Sequence, residues 1–212
     1  NFNLDKAVAP LSTSPCTTPT YDGDNQVIHP GVYDAGEGNT WNGYRYWLAV
    51  TPFAGSSAAI ENPSILASAD GDTWIVPVGL TNPIVDLPVG AAHYSDASLV
   101  FYNNTLYCVY RYSTAGDTRV DICVRSSTDG VTWSAETVIV TSATVGDVIS
   151  PSVVWNGSAF VMFSVNSTTN KINKRTCATM AGVWSASSDC VMSRGFFLHL
   201  SAVYTNNTYI LL

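Results

Sequence analysis

The chain has 212 residues, of which 46% are apolar and only 12% are charged, and nine Lys or Arg stand against sixteen Asp or Glu for a net charge of −7. Because this balance opposes attraction to phosphate backbones and anionic lipid, we expect no nucleic-acid partner. The longest apolar runs fall well short of the ~20 residues that a membrane-spanning helix needs, so we expect no membrane insertion. The apolar content is enough for a substantial core, in one all-β domain or two small ones.

Residues 1–26 contain three of the ten prolines and many Ser, Thr and Asp, with no sustained hydrophobic period. This composition predicts an extended arm or linker. From residue 27 the pattern becomes that of short strands. The first group of strands runs through IHPGVYD, WNGYRYWLAVTPF and ILASADGDTWIVP.

A second group of strands occupies Ser95–Trp133, where runs rich in Val, Ile, Tyr and Cys are bounded by the turns Asn103-Asn104 and Asp129-Gly130. Such alternation between turn signals predicts four antiparallel strands. A third group begins at ISPSVVWNGSAFVMFSV, and a fourth, LHLSAVYTNNTYILL, stops halfway.

Two markers repeat along these groups. The first-turn asparagines are 61, 53 and 50 residues apart, and the closing tryptophans are 59 and 51 apart; they are Asn42, Asn103, Asn156 and Asn206, and Trp74, Trp133 and Trp184. Four strands per repeat at this period predict β-propeller blades, with each tryptophan filling the space between neighbours. A β-sandwich is the alternative, but it requires no repeated marker. We predict a five-bladed propeller, or six-bladed as an alternative, over residues 27–212, with about three and a half blades present and the C-terminal part missing.

Five cysteines, at positions 16, 108, 123, 177 and 190, fit neither a dense disulfide framework nor paired metal-ligand spacing. In a simple hairpin centred on Ala115-Gly116, Cys108 and Cys123 face each other. Their thiols are then either bridged or adjacent apolar groups, and we favour the second.

The segments Ser68–Trp74 and Ser127–Trp133 share the form S-x-D-G-x-T-W. The Asp accepts hydrogen bonds from its own turn and the Gly supplies the positive φ. Both resemble the Asp-box of sialidase-like propellers, which in that family is structural and lies away from the active site. With WNGYRYWLAVTPF, ENPSILASADGDTW and GLTNPI, residues 28–85 resemble sialidase-like and glycoside-hydrolase-like propellers of bacteriophage tail, receptor-binding and secreted bacterial proteins.

Strand parity places the long connections of all blades on one rim, together with most of the ionisable groups. Solvated loop ends also explain such groups, because loops are polar. In the functional interpretation the rim binds a glycan through aromatic platforms and hydrogen-bonding side chains. The predicted binding residues are His29, His93, Tyr94, Arg111, Tyr112, Arg119 and His199.

An enzyme at this rim needs two carboxylates flanking a glycosidic bond, and the candidates are Glu61, Asp96 and Asp147. The resemblance to arabinanase- and fructosidase-type propellers implies an Asp at the start of the first inner strand, where this chain has His29. We therefore predict a phage tail or receptor-binding type protein that binds cell-surface carbohydrate, with a glycoside hydrolase as the alternative and a structural virion or extracellular protein as the second.

We predict no cofactor and no metal. Expected partners are a cell-surface glycan and other virion or appendage subunits, with a homo-oligomer as a further option, and the expected location is the virion or the extracellular space.

Overall fold

The computed structural model of the chain describes residues 16–191 and 199–212. Over these ranges the protein is all-β, with short 3-10 turns in some connections, as the sequence predicts. No helix within the described ranges has the length and apolar character to cross a bilayer. Residues 1–15 of the predicted arm lie outside the described part.

The first two sheets are antiparallel meanders in chain order. The first consists of β1 (Val27–Asp34), β2 (Tyr46–Pro52) and β3 (Ser64–Ser68), and an isolated bridge between Ala67 and Ile75 continues it. The second consists of β4 (His93–Tyr102), β5 (Thr105–Ser113), β6 (Val120–Ser127) and β7 (Thr137–Ser142).

The third sheet has the same order as the second, and the fourth is a hairpin. Their strands are β8 (Ile149–Trp155), β9 (Phe160–Asn166), β10 (Lys171–Cys177) and β11 (Ser188–Asp189), then β12 (Ala202–Thr205) and β13 (Thr208–Leu211). The predicted hairpin turns form where Asn tolerates the left-handed region: φ is 49° and 56° at Asn103-Asn104 and 48° and 58° at Asn206-Asn207.

The sheets stack side by side about a common axis, since β1 lies beside β4, β4 beside β8, and β8 beside β12. A separate apolar core fills each gap between successive sheets. Two facing layers would instead share one core, so the described residues form propeller blades and not a sandwich. The described sheets stop short of a closed ring, and the predicted blade number of five stays a prediction.

The first strand of each of the first three blades contains a β-bulge at the same place. The strand register shifts between residues 28 and 31, 95 and 98, and 149 and 152. The residue inside each bulge has positive φ: 53° at His29, 56° at Asp96 and 48° at Ser150. Non-glycine residues adopt this region at a cost of about 1–2 kcal/mol, and bulges turn side chains in new directions. Three blades thus direct one polar side chain each toward the axis.

Two local expectations differ from the structure. Cys108 lies opposite Arg125, and Cys123 lies opposite Tyr110, so the two thiols are not register partners. The connection between β5 and β6 contains a 3-10 turn that shifts the register from that of a simple hairpin. Both thiols are free and buried, as favoured.

The closing tryptophans also do not all pack in equivalent places. Trp184 packs between the second and third blades and Trp133 against the core between the first and second, whereas Trp74 packs with Leu48 and Leu66 on the other face of the first blade. The described part of the arm, residues 16–26, packs against the first blade through a bridge between Thr17 and Thr73. It is therefore not a free linker over that range.

Candidate active site

A cavity of about 570 Å³ opens on the rim that bears the long connections. Its walls bring together the bulge residues and residues of the following strands and loops, namely Ile28, His29, Phe53, Glu61, His93, Ser95, Asp96, Arg111, Ile149 and His199. A second cavity of about 420 Å³ continues along the axis and shares His29, Asp96 and His199 with the first. These three side chains form the boundary between a rim pocket and an axial space.

The carboxylate of Asp96 is the centre of this boundary. Its Oδ1 lies 3.4 Å from His29 Nε2 and 3.5 Å from His199 Nδ1, and Ser150 Oγ donates to it at 3.3 Å. Asp96 is only 5% exposed. Burial alone would raise its pKa, but the hydrogen bond from His199, the electrostatic interaction with His29 and the charge of Arg111 outweigh it, so the pKa lies well below its ordinary value. Asp96 is therefore ionised at neutral pH.

His29 separates the two carboxylates of the site. Its Nε2 faces Asp96, while its Nδ1 lies 3.5 Å from Glu61 Oε1, 3.3 Å from Thr51 Oγ1 and 3.4 Å from the backbone N–H of Asp96. Since that N–H can only donate, the tautomer with a bare Nδ1 and a proton on Nε2 satisfies both sides of the ring. Burial lowers the pKa of His29, and this effect exceeds the opposing charge of Asp96. His29 is accordingly neutral at neutral pH.

Glu61 is a buried carboxyl at the pocket wall, 6% exposed. Burial raises its pKa to about 7, and the negative charge of Asp96 adds to that shift, while Arg111 and His199 reduce it. A carboxyl that titrates near neutral pH can both accept and return a proton, which is the property of a general acid–base. The two carboxylates thus have different protonation states, set by their surroundings.

His199 contacts two partners through the same nitrogen. Its Nδ1 lies 2.7 Å from Ser150 Oγ and 3.5 Å from Asp96 Oδ1. A serine–histidine–aspartate triad requires the serine and the aspartate on opposite nitrogens of the ring, so these residues do not form one. The hydrogen bond to Asp96 raises the pKa of His199, against the smaller effect of burial.

Arg111 places a guanidinium at the pocket wall, although its side chain is mostly buried. It is 8% exposed, and its Nη1 donates to Ser95 Oγ at 3.5 Å. Burial lowers its pKa against the opposing charges of Asp96, Asp117 and Glu61. The guanidinium stays charged and offers the pocket a cationic hydrogen-bond donor.

His29, Asp96 and His199 can each offer one ligand atom to a metal ion, and these atoms all lie within 4.8 Å of one another. Two ligand atoms that are each ~2.0–2.1 Å from a tetrahedral ion lie ~3.4 Å apart. The separations from Asp96 Oδ1 to His29 Nε2 and to His199 Nδ1 are 3.4 and 3.5 Å. Two imidazoles and one carboxylate also suit Zn²⁺ and similar divalent ions. Two of the three ligand separations therefore fit a tetrahedral ion as they stand, although the sequence predicted no metal.

Of the predicted site residues, the structure brings together His29, Glu61, His93, Asp96, Arg111 and His199. The other four do not line this pocket. Tyr94 is 8% exposed in the core between the first two blades, where Tyr112 packs beside it. Arg119 is paired with Asp121 at 2.8 Å, and Asp147 accepts from Ser142 and Asn166.

The alternation of side chains along the strands explains why the two tyrosines lie in the core and not in the pocket, because positions 94 and 112 are register partners that face the core together. Sequence reasoning did not select Ser150, Ser95 or Phe53, which contact or line the site. A sequence signal for Ser150 was present: the segments IHPG, SDAS and ISPS fall near the starts of β1, β4 and β8, and the second residue of each is the bulge residue with positive φ.

The fold is that of a glycoside-hydrolase-like β-propeller. The solved structure of an N-acetylgalactosamine deacetylase from F. plautii, in complex with blood group B trisaccharide, superposes with a TM-score of 0.80 over 90% of this chain and 63% of that one, at 24% identity. An exo-1,5-α-L-arabinanase from a bovine ruminal metagenomic library gives 0.57 over 88% and 64% at 14% identity. A thermostable family-43 glycoside hydrolase gives 0.55 over 84% and 61% at 13%.

Among curated proteins, an A type blood N-acetyl-α-D-galactosamine deacetylase of Flavonifractor plautii is 40% identical over 116 residues, which is 52% of this chain and 15% of that protein. The chain thus spans a small part of this relative. No family model matches the sequence. These relatives support the predicted glycoside-hydrolase-like propeller. They favour the predicted hydrolase alternative over the phage receptor-binding interpretation, and they lend no support to the Asp-box sialidase resemblance.

Proposed function

We propose that this chain forms the catalytic propeller of an enzyme that acts on glycans, and that it removes the N-acetyl group from an amino sugar. The observation that carries the proposal is the cluster of His29, Asp96 and His199 beside Glu61 at the mouth of a pocket. The partial sequence match to a deacetylase supports the choice of reaction.

The reaction is amide hydrolysis. Water adds to the acetamido carbonyl, the bond between carbonyl carbon and nitrogen breaks, and acetate and a free amine leave. Glu61 accepts the proton of the attacking water and returns it to the departing nitrogen. Its pKa of about 7 suits both steps.

The remaining residues of the pocket would polarise the acetamido carbonyl, through a bound ion, and orient the sugar. A divalent ion held by His29, Asp96 and His199 would supply Lewis-acid polarisation of the carbonyl and acidify water. Arg111 and His93 offer hydrogen-bond donors to sugar hydroxyls from the pocket wall, and Phe53 offers an apolar surface to the C–H face of a sugar.

Glycosidic-bond hydrolysis is less compatible with the geometry. That reaction needs two carboxylates with the glycosidic bond between them. Here the imidazole of His29 lies between Glu61 and Asp96, in contact with both at 3.5 and 3.4 Å. The space that a sugar ring would need between these carboxylates is therefore filled by a side chain.

The experiment is to incubate the protein with oligosaccharides that end in N-acetylgalactosamine or N-acetylglucosamine, with and without added divalent ions. Acetate and new reducing ends are measured in parallel. Acetate without reducing ends is expected, and Glu61→Gln should lower its rate by about 10²–10⁴-fold. Glu37→Gln, an exposed carboxylate in a loop, serves as the matched control.

Reducing ends without acetate would overturn the proposal in favour of a glycoside hydrolase. Retention of the glycan without any release would overturn it in favour of the predicted receptor-binding function. The extracellular or virion location, the glycan and subunit partners and the homo-oligomer remain predictions.

A further inference from the structure

Glu61 lies at the centre of a very tight turn. Its φ and ψ are −70° and 60°, and the backbone N–H of Asn62 donates to the carbonyl of Ile60 at 2.7 Å, which is the geometry of an inverse γ-turn. A 3-10 turn, Ala58–Ile60, precedes it, and β3 begins only at Ser64. No strand ladder therefore holds the backbone of Glu61, and the direction of its carboxyl depends on this turn.

The hydroxyl of Tyr21 forms hydrogen bonds with both ends of this turn. It donates to the carbonyl of Ile60 at 2.9 Å and accepts from Asn62 Nδ2 at 2.7 Å. Asn62 is fully buried, and its Nδ2 also donates to the carbonyl of Ala59 at 3.3 Å. The Tyr21 hydroxyl thus bonds to the residue before Glu61 and to the residue after it, and not to Glu61 itself.

Tyr21 reaches this turn from a part of the chain outside every sheet. It belongs to the arm, 39 residues before Ile60, and the arm contacts the first blade at Thr17 and Thr73. The side chain of Glu61, in turn, contacts the bulge of β1, since its Oε1 lies 3.5 Å from His29 Nδ1. The arm therefore bonds to the residues that flank Glu61, and the bulge of β1 contacts the carboxyl itself.

We propose that Tyr21 is a positioning residue that fixes the Ile60–Asn62 turn and thereby aims the Glu61 carboxyl into the pocket. The inference rests on the proposed function, in which Glu61 transfers the proton. Proton transfer requires the base to lie within hydrogen-bond reach of its partner, and small displacements of a catalytic group lower the rate strongly. Residues of the segment that the sequence predicts to be an extended arm or linker then take part in building the site.

The test is Tyr21→Phe, which removes both hydrogen bonds and keeps the ring. We expect kcat to fall about tenfold while KM changes less than about twofold, because the group that moves acts in the chemical step and not in binding. The matched control is Tyr209→Phe, since the hydroxyl of Tyr209 accepts from Asn156 Nδ2 at the same 2.7 Å, at the edge of the fourth sheet. It should leave kcat unchanged at a comparable melting temperature.

A double-mutant cycle separates positioning from general stability. In the Glu61→Gln background, with the residual rate measured at high enzyme concentration, Tyr21→Phe should cause no further loss. Unchanged kcat in Tyr21→Phe, or an equal loss in both backgrounds, would overturn the positioning role while a large effect of Glu61→Gln leaves the proposed function standing. A Glu61→Gln protein with the wild-type rate would overturn the role of Glu61, and this inference with it.

Discussion

Gly130→Ala should weaken the packing between the first two blades and destabilise the fold, because the turn at Gly130 lies against the indole of Trp47. A Cβ at position 130 would lie 2.0 Å from Cη2 and 2.3 Å from Cζ3 of that ring. Trp47 is fully buried in the core between these blades and cannot move aside. Overpacking costs about 1–3 kcal/mol, and a non-glycine residue in the left-handed region costs about 1–2 kcal/mol. The φ of 76° at Gly130 adds that second cost.

The expected loss of unfolding free energy is therefore about 2–5 kcal/mol. For a chain of this size it corresponds to a melting temperature lower by about 4–20 °C, measured by circular dichroism with urea unfolding as a check. Gly116→Ala is the control, because Gly116 has a φ of 74° and nothing within 4 Å of the added Cβ. Gly116→Ala should therefore lose only the free energy that the left-handed backbone conformation costs a non-glycine residue, about 1–2 kcal/mol.

Equal losses in the two variants would refute the reasoning, since the contact with Trp47 would then contribute nothing. The comparison also bears on the site. His29 belongs to the first blade and Asp96 to the second, so their contact at 3.4 Å requires these blades to pack together. Gly130→Ala should consequently weaken divalent-metal binding as it loosens the fold, whereas Gly116→Ala should not.

Three further predictions concern ionisation and reactivity. Asp96→Asn should weaken divalent-metal binding by about 10²-fold or more in calorimetry, because the carboxylate lies between both imidazoles; unchanged affinity would exclude this site. Backbone N–H groups of its own turn lower the pKa of Asp129 to about 2, so its stabilising effect is complete above the unfolded pKa of about 3.9 and is lost as pH falls toward 2. Asp129→Asn should accordingly lower the urea midpoint at pH 6 and have a smaller effect at pH 2.5, and an equal effect at both would contradict this. Alkylating reagents should modify the exposed Cys16 in the native protein but Cys108 and Cys123 only after unfolding, because burial raises the pKa of both thiols; rapid native labelling of all three would show that the core is open.

The repeat, the hairpin turns and the rim of the site could be predicted because each depends on neighbours in sequence. Asn103-Asn104 and Asp129-Gly130 specify their turns through their own φ preferences and hydrogen bonds. The parity of the strands then places the ends of β1 and β4 on one rim, which is why His29 and Asp96 were both selected. The tyrosines at 94 and 112 were not predictable in the same way, since alternation alone leaves open which face of a blade meets the next one.

The sequence by itself determined an all-β chain of repeated antiparallel strands and a set of polar groups at one rim, because strand period and turn chemistry are local. Only the tertiary structure decided that Asp96 lies between two imidazoles, that Glu61 titrates near neutral pH, and that Tyr21 braces the turn of Glu61. These properties depend on distances between residues from different blades and on the removal of water from buried charges. The distances and the burial are both established only when the blades pack together.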